Sequence, residues 1–279
     1  MQPFAVEKRR KILYNIGAVL CTAKPYNYSI FKKIYTMGLT EDGLQYHVRL
    51  KEGDIGRYVL LPGDPFRTDM IASFLDDAKL VAHNREHKTW TGYLDGEKVS
   101  VTSTGMGCPS TAICVEELIR CGADTFIRIG TAGTVQDFSD AENHDGCIVT
   151  ASIRDEGTTS HYVPIEFPAI ANRHVVDALV KAAKARGLDY LEGISQTKDS
   201  YYGETEPEIM PLEMHLKSRW QAWQRGGAKC SEMECAALFI ISTIRGCRAG
   251  AIMNWQDMNN TISTACDAIR ALIKADKEG

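Results

Sequence analysis

Arginine side chains stand beside glycine turns at the ends of two apolar segments. Arg128 opens the sequence RIGTAG (128–133) directly after an apolar run, and Arg67 closes the sequence PGDPFR (62–67). Glycine lets backbone N–H groups approach an anion, and a guanidinium offers a planar fork of donors to phosphate oxygens. A third arginine, Arg85, lies in a polar connection. Any one of them alone is more often a surface ion pair, but the shared glycine setting predicts a single anionic substrate.

The overall composition favours a small substrate. The chain has 279 residues, 44% of them hydrophobic, and a formal net charge of -4. One large domain can bury its own core at this length, and a net negative charge gives no general attraction to nucleic acid or to an anionic membrane. We therefore predict neither nucleic acid nor a membrane as a partner.

The nine cysteines are interpreted as reduced thiols. Their number is odd, no CxxC pair occurs, and no convincing secretory signal precedes them, so a disulfide framework is disfavoured. Cys108 with Cys114, or Cys230 with Cys235, lack the spacing of structural zinc ligands. The sequence therefore predicts a cytoplasmic protein without a metal centre.

The first 36 residues differ in charge from the rest. They contain seven Lys and Arg but one acidic residue, and a basic cluster at 8–11 precedes a short apolar stretch that Asn15 interrupts. This pattern resembles a weak targeting segment without a clear cleavage site, and it is too short and polar to span a bilayer. We expect 1–36 to be an N-terminal extension outside the fold, and 37–279 to form the functional domain.

Apolar segments rich in β-branched residues alternate with helical patterns after residue 57. Candidate strands cover 57–61, 99–103, 125–129 and 147–153, and candidate helices cover 109–120, 175–183 and the almost wholly apolar 233–244. This alternation predicts a single α/β domain with a central mixed β-sheet flanked by helices. Because sites in such sheets lie at strand ends, the turns at 63, 104–108 and 130–133 are the candidate positions.

Several motifs in shared order and spacing carry a family resemblance. The chain resembles the nucleoside phosphorylase family, in its uridine phosphorylase branch, from about Leu44 to about Arg248 and again in the last helix. The motifs are PGDPFR (62–67), STGMGCPSTAICVEEL (103–118), RIGT (128–131), PIEFP (164–168) and SEME (231–234).

The resemblance implies a pentosyltransferase that carries out reversible phosphorolysis, with inorganic phosphate as co-substrate and no organic cofactor. Phosphate attacks C1′ of a nucleoside, most simply uridine, and gives ribose 1-phosphate and free base. Such an enzyme would serve nucleoside catabolism and pyrimidine salvage in the cytoplasm. Because the transition state resembles an oxocarbenium ion, the enzyme must hold phosphate under the sugar, fix the ribose hydroxyls and stabilise the departing base.

The resemblance also assigns roles to individual residues. Arg128, Thr131 and Glu234 would be catalytic. The predicted phosphate-binding residues are Gly63, Arg67, Arg85, Arg128 and Thr131, with Arg85 reaching in from a neighbouring subunit. The predicted ribose-binding residues are His47, Glu232, Met233 and Glu234, with His47 also crossing the subunit boundary.

Base recognition departs from the family pattern. Tyr201 can stack on a base, but Glu204 stands where uridine phosphorylases have a glutamine, and Ile209 stands where they have an arginine. An ungapped alignment places Thr205 and Pro207 there instead. Neither alignment restores an amide donor or a positive charge for the uracil carbonyls.

Alternatives therefore remain open for the substrate. The spacing of Asp257 from Glu232 matches an aspartate that protonates N7 in bacterial-type purine nucleoside phosphorylases, and a buried carboxyl with a raised pKa could act as that acid. The segment 251–260 runs almost directly into the last helical pattern. Relatives have a longer loop there, which helps to close the pocket. The alternatives are a purine nucleoside phosphorylase and a catalytically impaired nucleoside-binding paralogue. A nucleosidase is disfavoured by three phosphate-directed arginines.

The resemblance finally implies a homo-oligomer, either a dimer or a hexamer built as a trimer of dimers. Some relatives hold a monovalent cation at the dimer interface, through residues that match Glu86, Met106 and Ser110 here.

Overall fold

The computed structural model describes residues 38–278 of the chain. The described residues from Leu44 onward form one compact unit. The predicted extension 1–36 lies outside the described residues, so the domain boundary at residue 37 stays a prediction. Within 38–278, no helix combines the length and the apolar character that crossing a membrane requires.

Eleven strands of the described region form one mixed β-sheet. Its hydrogen-bonded order is β2-β3-β4-β1-β5-β11-β7-β9-β10-β6, with β8 paired to β7. The strands are β1 (Tyr58–Leu61), β2 (Asp76–Asn84), β3 (His87–Leu94), β4 (Glu97–Thr102), β5 (Thr125–Thr131), β6 (Gly133–Thr134), β7 (Gly146–Asp155), β8 (Ala169–Ile170), β9 (Tyr190–Lys198), β10 (Cys230–Glu232) and β11 (Arg248–Asn254).

Helices cover both faces of this sheet. They are α1 (Arg67–Ala72), α2 (Cys108–Arg120), α3 (Phe138–Asn143), α4 (Arg173–Ala185), α5 (Tyr201–Thr205), α6 (Glu213–Arg225), α7 (Cys235–Ile244) and α8 (Met258–Glu278), with 3-10 turns at Thr159–His161 and Pro207–Ile209. One buried cluster joins α2 and α7 to the sheet, and a second cluster joins α4 and α8. The predicted α/β fold with a central mixed sheet is confirmed.

The individual elements follow the signals in the sequence. Pro109 occupies the first turn of α2, and Gly122 follows that helix with a φ of +104°, a conformation that glycine adopts without strain. The apolar segment predicted as a buried helix is α7, in which eight residues from Cys235 to Ser242 are buried. The predicted strands coincide with β1, β4, β5 and β7 to within a few residues.

Three parallel strands bring the predicted glycine turns to one edge of the sheet. β1 pairs in parallel with β4 on one side and with β5 on the other, so the carboxyl ends of the three strands are neighbours. The turns themselves are tied together, because the backbone N–H of Gly105 donates to the carbonyl of Gly63 at 3.0 Å. β10 reaches the same region, since Ser231 pairs with Gly133 just beyond the end of β5.

Candidate active site

Arg128 lies at the centre of a buried group of charges. Its side chain projects from β5 and the residue is 4% exposed. Nη2 donates a hydrogen bond to Glu234 Oε2, and Nε approaches Glu232 Oε2 at 3.4 Å. One guanidinium therefore faces two carboxylates in the interior of the protein.

Glu232 is held on every side by hydrogen bonds. Thr197 Oγ1 donates to its Oε1, while the backbone N–H groups of Glu234 and Cys235 donate to Oε2 at 2.7 and 2.8 Å. These N–H groups belong to the first turn leading into α7, where a carboxylate is favoured by the helix dipole. Glu232 is therefore fixed both by its capping contacts and by the neighbouring strand β9.

Glu234 connects the guanidinium to a glycine turn. Its Oε1 accepts a 2.6 Å hydrogen bond from the backbone N–H of Gly107, which precedes α2. Burial raises the pKa of Glu234; Arg128 opposes that rise, and Glu232 adds to it by repulsion. Burial opposes the charge on Arg128 as well, but Glu234 and Glu232 together hold its pKa above the ordinary value. The Arg128 guanidinium therefore keeps its positive charge in the interior.

One edge of the Arg128 guanidinium has no protein partner. Nη1 is buried and has no hydrogen bond within the described residues. It faces Gly63, because a Cβ built on that glycine would lie 3.9 Å from Nη1 and 3.4 Å from the carbonyl oxygen of Gly105. A buried, unpaired donor beside backbone that lacks a side chain has the properties of an anion-binding site.

Arg67 adds a second positive charge to this region. It is the first residue of α1. Within residues 38–278, its side chain makes no hydrogen bond and no ion pair. Burial lowers the pKa of Arg67; Asp64 counteracts this, and the charge of Arg128 lowers the pKa further. The two guanidiniums therefore repel each other electrostatically, and their joint binding of one anion stays a prediction.

Two other predicted phosphate-binding residues are more exposed. Thr131 ends β5 opposite Asn254 of β11. Arg85 lies in the tight turn between β2 and β3 with a φ of 55°. The structure describes a single chain, so the contribution of Arg85 to a neighbouring subunit stays a prediction.

His47 lies close to that turn. Its Nδ1 is 2.7 Å from Glu117 Oε1, and the same carboxylate accepts from the backbone N–H groups of His47 and Val48 at 2.9 and 2.8 Å. Asn84 Nδ2 donates to the carbonyl of His47 at 2.7 Å. His47 and Arg85 therefore belong to one part of the surface, as the predicted shared role across a subunit boundary requires.

Two of the three predicted cation ligands are in contact. Ser110 Oγ lies 2.8 Å from Glu86 Oε1, and Met106 is largely exposed. Gly105 lies beside this contact and has a φ of +73°. A Cβ at this position would come within 2.6 Å of Glu86 Cγ. This geometry requires glycine at 105, and the cation itself stays a prediction.

The predicted base-binding residues are only partly brought together. Tyr201 and Glu204 lie on the short helix α5, and Tyr201 is 55% exposed. The carboxylate of Glu204 is paired with Lys198 Nζ at 2.5 Å and contacts Ser231. Sequence reasoning missed Lys198, whose only signal was a charge at the end of a strand. Ile209 is 70% exposed on a 3-10 turn.

Asp257, the candidate acid of the purine alternative, is not buried in the described part of the chain. Asp257 is exposed, and its Oδ1 accepts a 2.9 Å hydrogen bond from the backbone N–H of Asn259 at the start of α8. This is a helix-capping contact, which satisfies an N–H group that the helix itself leaves unpaired. The observed contact of the aspartate is structural, and its role as an acid toward a purine stays a prediction.

The connection before α8 is short, as predicted. Only three residues separate β11 from α8, and Trp255 Nε1 donates to the carbonyl of Ala132 at 3.1 Å. Trp255 therefore lies against the glycine turn that follows β5.

Comparisons with known proteins agree with this arrangement. The sequence profile of the Phosphorylase superfamily matches residues 57–271. Uridine phosphorylase of Treponema pallidum is 42% identical over 83% of this chain and 95% of its own length, and uridine phosphorylase of Thermococcus kodakarensis is 43% identical over 76% and 77%. Guanosine phosphorylase of Halorubrum lacusprofundi is 37% identical over 75% of this chain and 81% of its own length. The chain belongs to the phosphorylase superfamily.

Proposed function

We propose that this protein catalyses the reversible phosphorolysis of a nucleoside, with uridine as the principal substrate. The observation that carries the proposal is the buried and unpaired Nη1 of Arg128, which faces Gly63 while the same guanidinium holds Glu234. An anion-binding donor and a carboxylate are thereby fixed on one rigid group. Phosphorolysis needs those two functions side by side.

Phosphate would bind between Arg67, Arg128 and the turn at Gly63. Arg67 has spare donors, and paired guanidinium N–H groups match phosphate oxygens bidentately. A phosphate oxygen would attack C1′ of the nucleoside and form the new C–O bond. The electron pair of the breaking C1′–N bond would leave with the base, which would then take a proton from water.

Glu234 and Glu232 would act on the sugar. An ionised carboxylate is acceptor-only, so Glu234 can accept hydrogen bonds that the ribose 2′ and 3′ hydroxyls donate. The two carboxylates also place negative charge near a sugar that becomes cationic in the transition state. Because Glu232 is fixed by the backbone of α7 and by Thr197, this charge is oriented before the substrate arrives.

The names of two relatives support uridine over other substrates. Two relatives that are 42% and 43% identical carry the name uridine phosphorylase. Guanosine is the second candidate, because a relative named guanosine phosphorylase is 37% identical and because the Glu204 carboxylate could accept two N–H groups from guanine. Asp257 gives this second candidate no support.

We further propose that the active form is a cytoplasmic homo-oligomer that serves pyrimidine salvage. In such an assembly, Arg85 and His47 of one chain would complete the site of its neighbour. The exposure of Arg85 and its position next to His47 through Asn84 support this arrangement.

Release of free base measured with and without phosphate tests the proposal. Uridine, thymidine and inosine should be compared side by side, and we expect uracil release from uridine that depends on phosphate. Equal rates in phosphate-free buffer would indicate a hydrolase instead. Nucleoside binding by calorimetry without turnover would identify an impaired paralogue.

A further inference from the structure

Another buried carboxylate holds both the backbone and the ring of His47. Glu117 belongs to α2 and is 5% exposed. Its Oε2 accepts hydrogen bonds from the backbone N–H groups of His47 and Val48 at 2.9 and 2.8 Å, and its Oε1 is 2.7 Å from His47 Nδ1. Acidic side chains are almost never buried without such partners, because an ionised carboxylate loses its hydration there.

The contact with the ring determines which nitrogen of His47 carries hydrogen. An ionised carboxylate only accepts hydrogen bonds, so the hydrogen between Glu117 Oε1 and His47 Nδ1 belongs to Nδ1. A neutral imidazole has one N–H group, and its second nitrogen is then an acceptor. Glu117 therefore leaves Nε2 of a neutral His47 without hydrogen.

The imidazole is also held in place, while Nε2 stays available. Asn84 Nδ2 donates to the carbonyl of His47 at 2.7 Å, and the Tyr46 ring packs edge to face with the imidazole, with 5.0 Å between ring centres. The His47 side chain is 30% exposed, and its Nε2 makes no hydrogen bond within residues 38–278. An oriented acceptor is thereby presented on the surface that carries Arg85.

Helix α2 also holds Glu234. The helix begins after Gly107, whose backbone N–H donates to Glu234 Oε1, and Glu117 belongs to the last turn of the same helix. One rigid helix therefore positions a carboxylate proposed to bind ribose at one end and a histidine predicted to bind ribose at the other.

The contacts proposed for Glu234 leave one ribose hydroxyl without a partner. Glu234 is assigned the 2′ and 3′ hydroxyls, and a ribonucleoside has only one more, at C5′. A hydroxyl can donate a hydrogen bond to an imidazole nitrogen that carries no hydrogen. The Nε2 of His47 therefore has the chemistry that the 5′ hydroxyl requires.

We propose that Glu117 is a positioning residue for ribose recognition. It holds His47 as the tautomer with hydrogen on Nδ1, and Nε2 then accepts a hydrogen bond from the 5′ hydroxyl of the nucleoside in a neighbouring subunit's site. The bond from Nδ1–H to the carboxylate also strengthens Nε2 as an acceptor, because such a partner raises the basicity of the ring. The proposal rests on the proposed phosphorolysis and homo-oligomer, and it adds a residue that does not touch the substrate.

The variant Glu117→Gln separates this role from simple support of the backbone. The backbone N–H groups of His47 and Val48 are fixed donors, so the amide oxygen must take the place of Oε2 and the amide nitrogen that of Oε1. The amide then donates to Nδ1, which moves the ring hydrogen to Nε2. Replacement of a carboxylate by an amide beside a histidine can in this way keep the geometry and select the wrong tautomer.

Two further variants complete the test. Glu116→Gln is the matched control, because Glu116 precedes Glu117 on α2 and its carboxylate pairs with Arg245 instead. His47→Phe removes the acceptor itself. For each protein, kcat and KM are measured with uridine and with 5′-deoxyuridine, and melting temperatures report folding. Spectra of 15N-histidine-labelled protein at mildly alkaline pH report the tautomer, with the His47 signals identified by their absence from His47→Phe.

We expect His47 to carry its hydrogen on Nδ1 in the wild type and on Nε2 in Glu117→Gln. Glu117→Gln should raise the KM for uridine by roughly 3- to 10-fold, the range of one neutral hydrogen bond, and should change the KM for 5′-deoxyuridine less than about twofold. In the His47→Phe background, Glu117→Gln should have no further effect on either substrate. Glu116→Gln should match the wild type with both substrates.

A carboxylate that only supports the backbone would give a different pattern. Equal losses with uridine and 5′-deoxyuridine in Glu117→Gln would overturn the inference, and so would hydrogen on Nε2 of His47 in the wild type. An unchanged ratio of uridine to 5′-deoxyuridine cleavage in His47→Phe would overturn it as well, even if Glu117→Gln does not fold. A wild type that releases no base with phosphate would refute the proposed function, whereas the tautomer of His47 is measured without turnover.

Discussion

Substitution of Arg67 should weaken phosphate binding without lowering the stability of the fold. Its guanidinium is partly buried beside Arg128 and has no ion pair, and burial and the neighbouring charge lower its pKa. A cation whose pKa is lowered by folding costs stability while it is charged. Replacing Arg67 by methionine therefore removes an unfavourable charge and keeps much of the packing of the side chain.

The expected change in phosphate affinity follows from the hydrogen bonds that Arg67 is proposed to donate to phosphate. Hydrogen bonds to charged groups contribute about 1.5–3 kcal/mol each, and about 1.4 kcal/mol is a factor of ten in affinity. We expect Arg67→Met to raise the KM for phosphate by roughly 10- to 150-fold. The free energy of unfolding should stay within about 0.5 kcal/mol of the wild type or increase, since no native partner is lost.

The assay is the initial rate of uracil release against phosphate concentration at saturating uridine, together with chemical denaturation. Arg173→Met is the control, because Arg173 is highly exposed and, among residues 38–278, its ion pair is with Asp177 on its own helix. An unchanged KM for phosphate in a folded Arg67→Met protein would refute the assignment of Arg67. A large loss of stability would refute the claim that its charge is unpaired.

Three other changes give distinct expected results. Glu234→Gln should lower kcat/KM for uridine by at least about tenfold in steady-state kinetics, because the amide has one acceptor oxygen where the carboxylate has two. Asp257→Ala should lower the free energy of unfolding by about 1 kcal/mol through the lost cap, with the ratio of inosine to uridine cleavage unchanged; a selective loss of inosine cleavage would restore the acid role. Asp276 has its pKa lowered to about 2, chiefly by its hydrogen bond to Arg248. The Asp276 carboxylate therefore adds to the free energy of unfolding above pH 3.8, and this stabilisation is lost as the pH falls through about 2. Asp276→Asn should be less stable at neutral pH in denaturation curves, and the difference should vanish toward pH 2.

The turns around Arg67 and Arg128 could be predicted because local chemistry specified them. Arg67 follows a short apolar strand and a glycine, Arg128 lies in an apolar strand just before a glycine, and parallel strands bring such ends to one edge. Glu234 was predictable from its motif, but its hydrogen bond to Gly107 was not, since 127 residues separate the two in sequence. The order of the motifs identified the residues of the site. Which of these residues are in contact depends on the tertiary structure and could not be predicted.

Lys198 and Asp257 show where sequence reasoning stopped. The partners of Lys198 lie 6 and 33 residues away on a helix and another strand, so no local pattern marks it. Asp257 was selected by its spacing from a motif, but the start of α8 required a capping residue at that place. Whether an aspartate of this kind is buried in a site or caps a helix depends on the tertiary structure, which the sequence alone does not show.

The pairing of one guanidinium with two fixed carboxylates has a consequence for the energetics of turnover. Arg67 and Arg128 only balance Glu232 and Glu234, so a bound phosphate of about one to two negative charges would leave the interior of a single chain electrically negative. Formation of a ribosyl cation would relieve this imbalance at the moment when the glycosidic bond is weakest. The unfavourable electrostatic energy of the ground state would thereby be converted into a lower barrier.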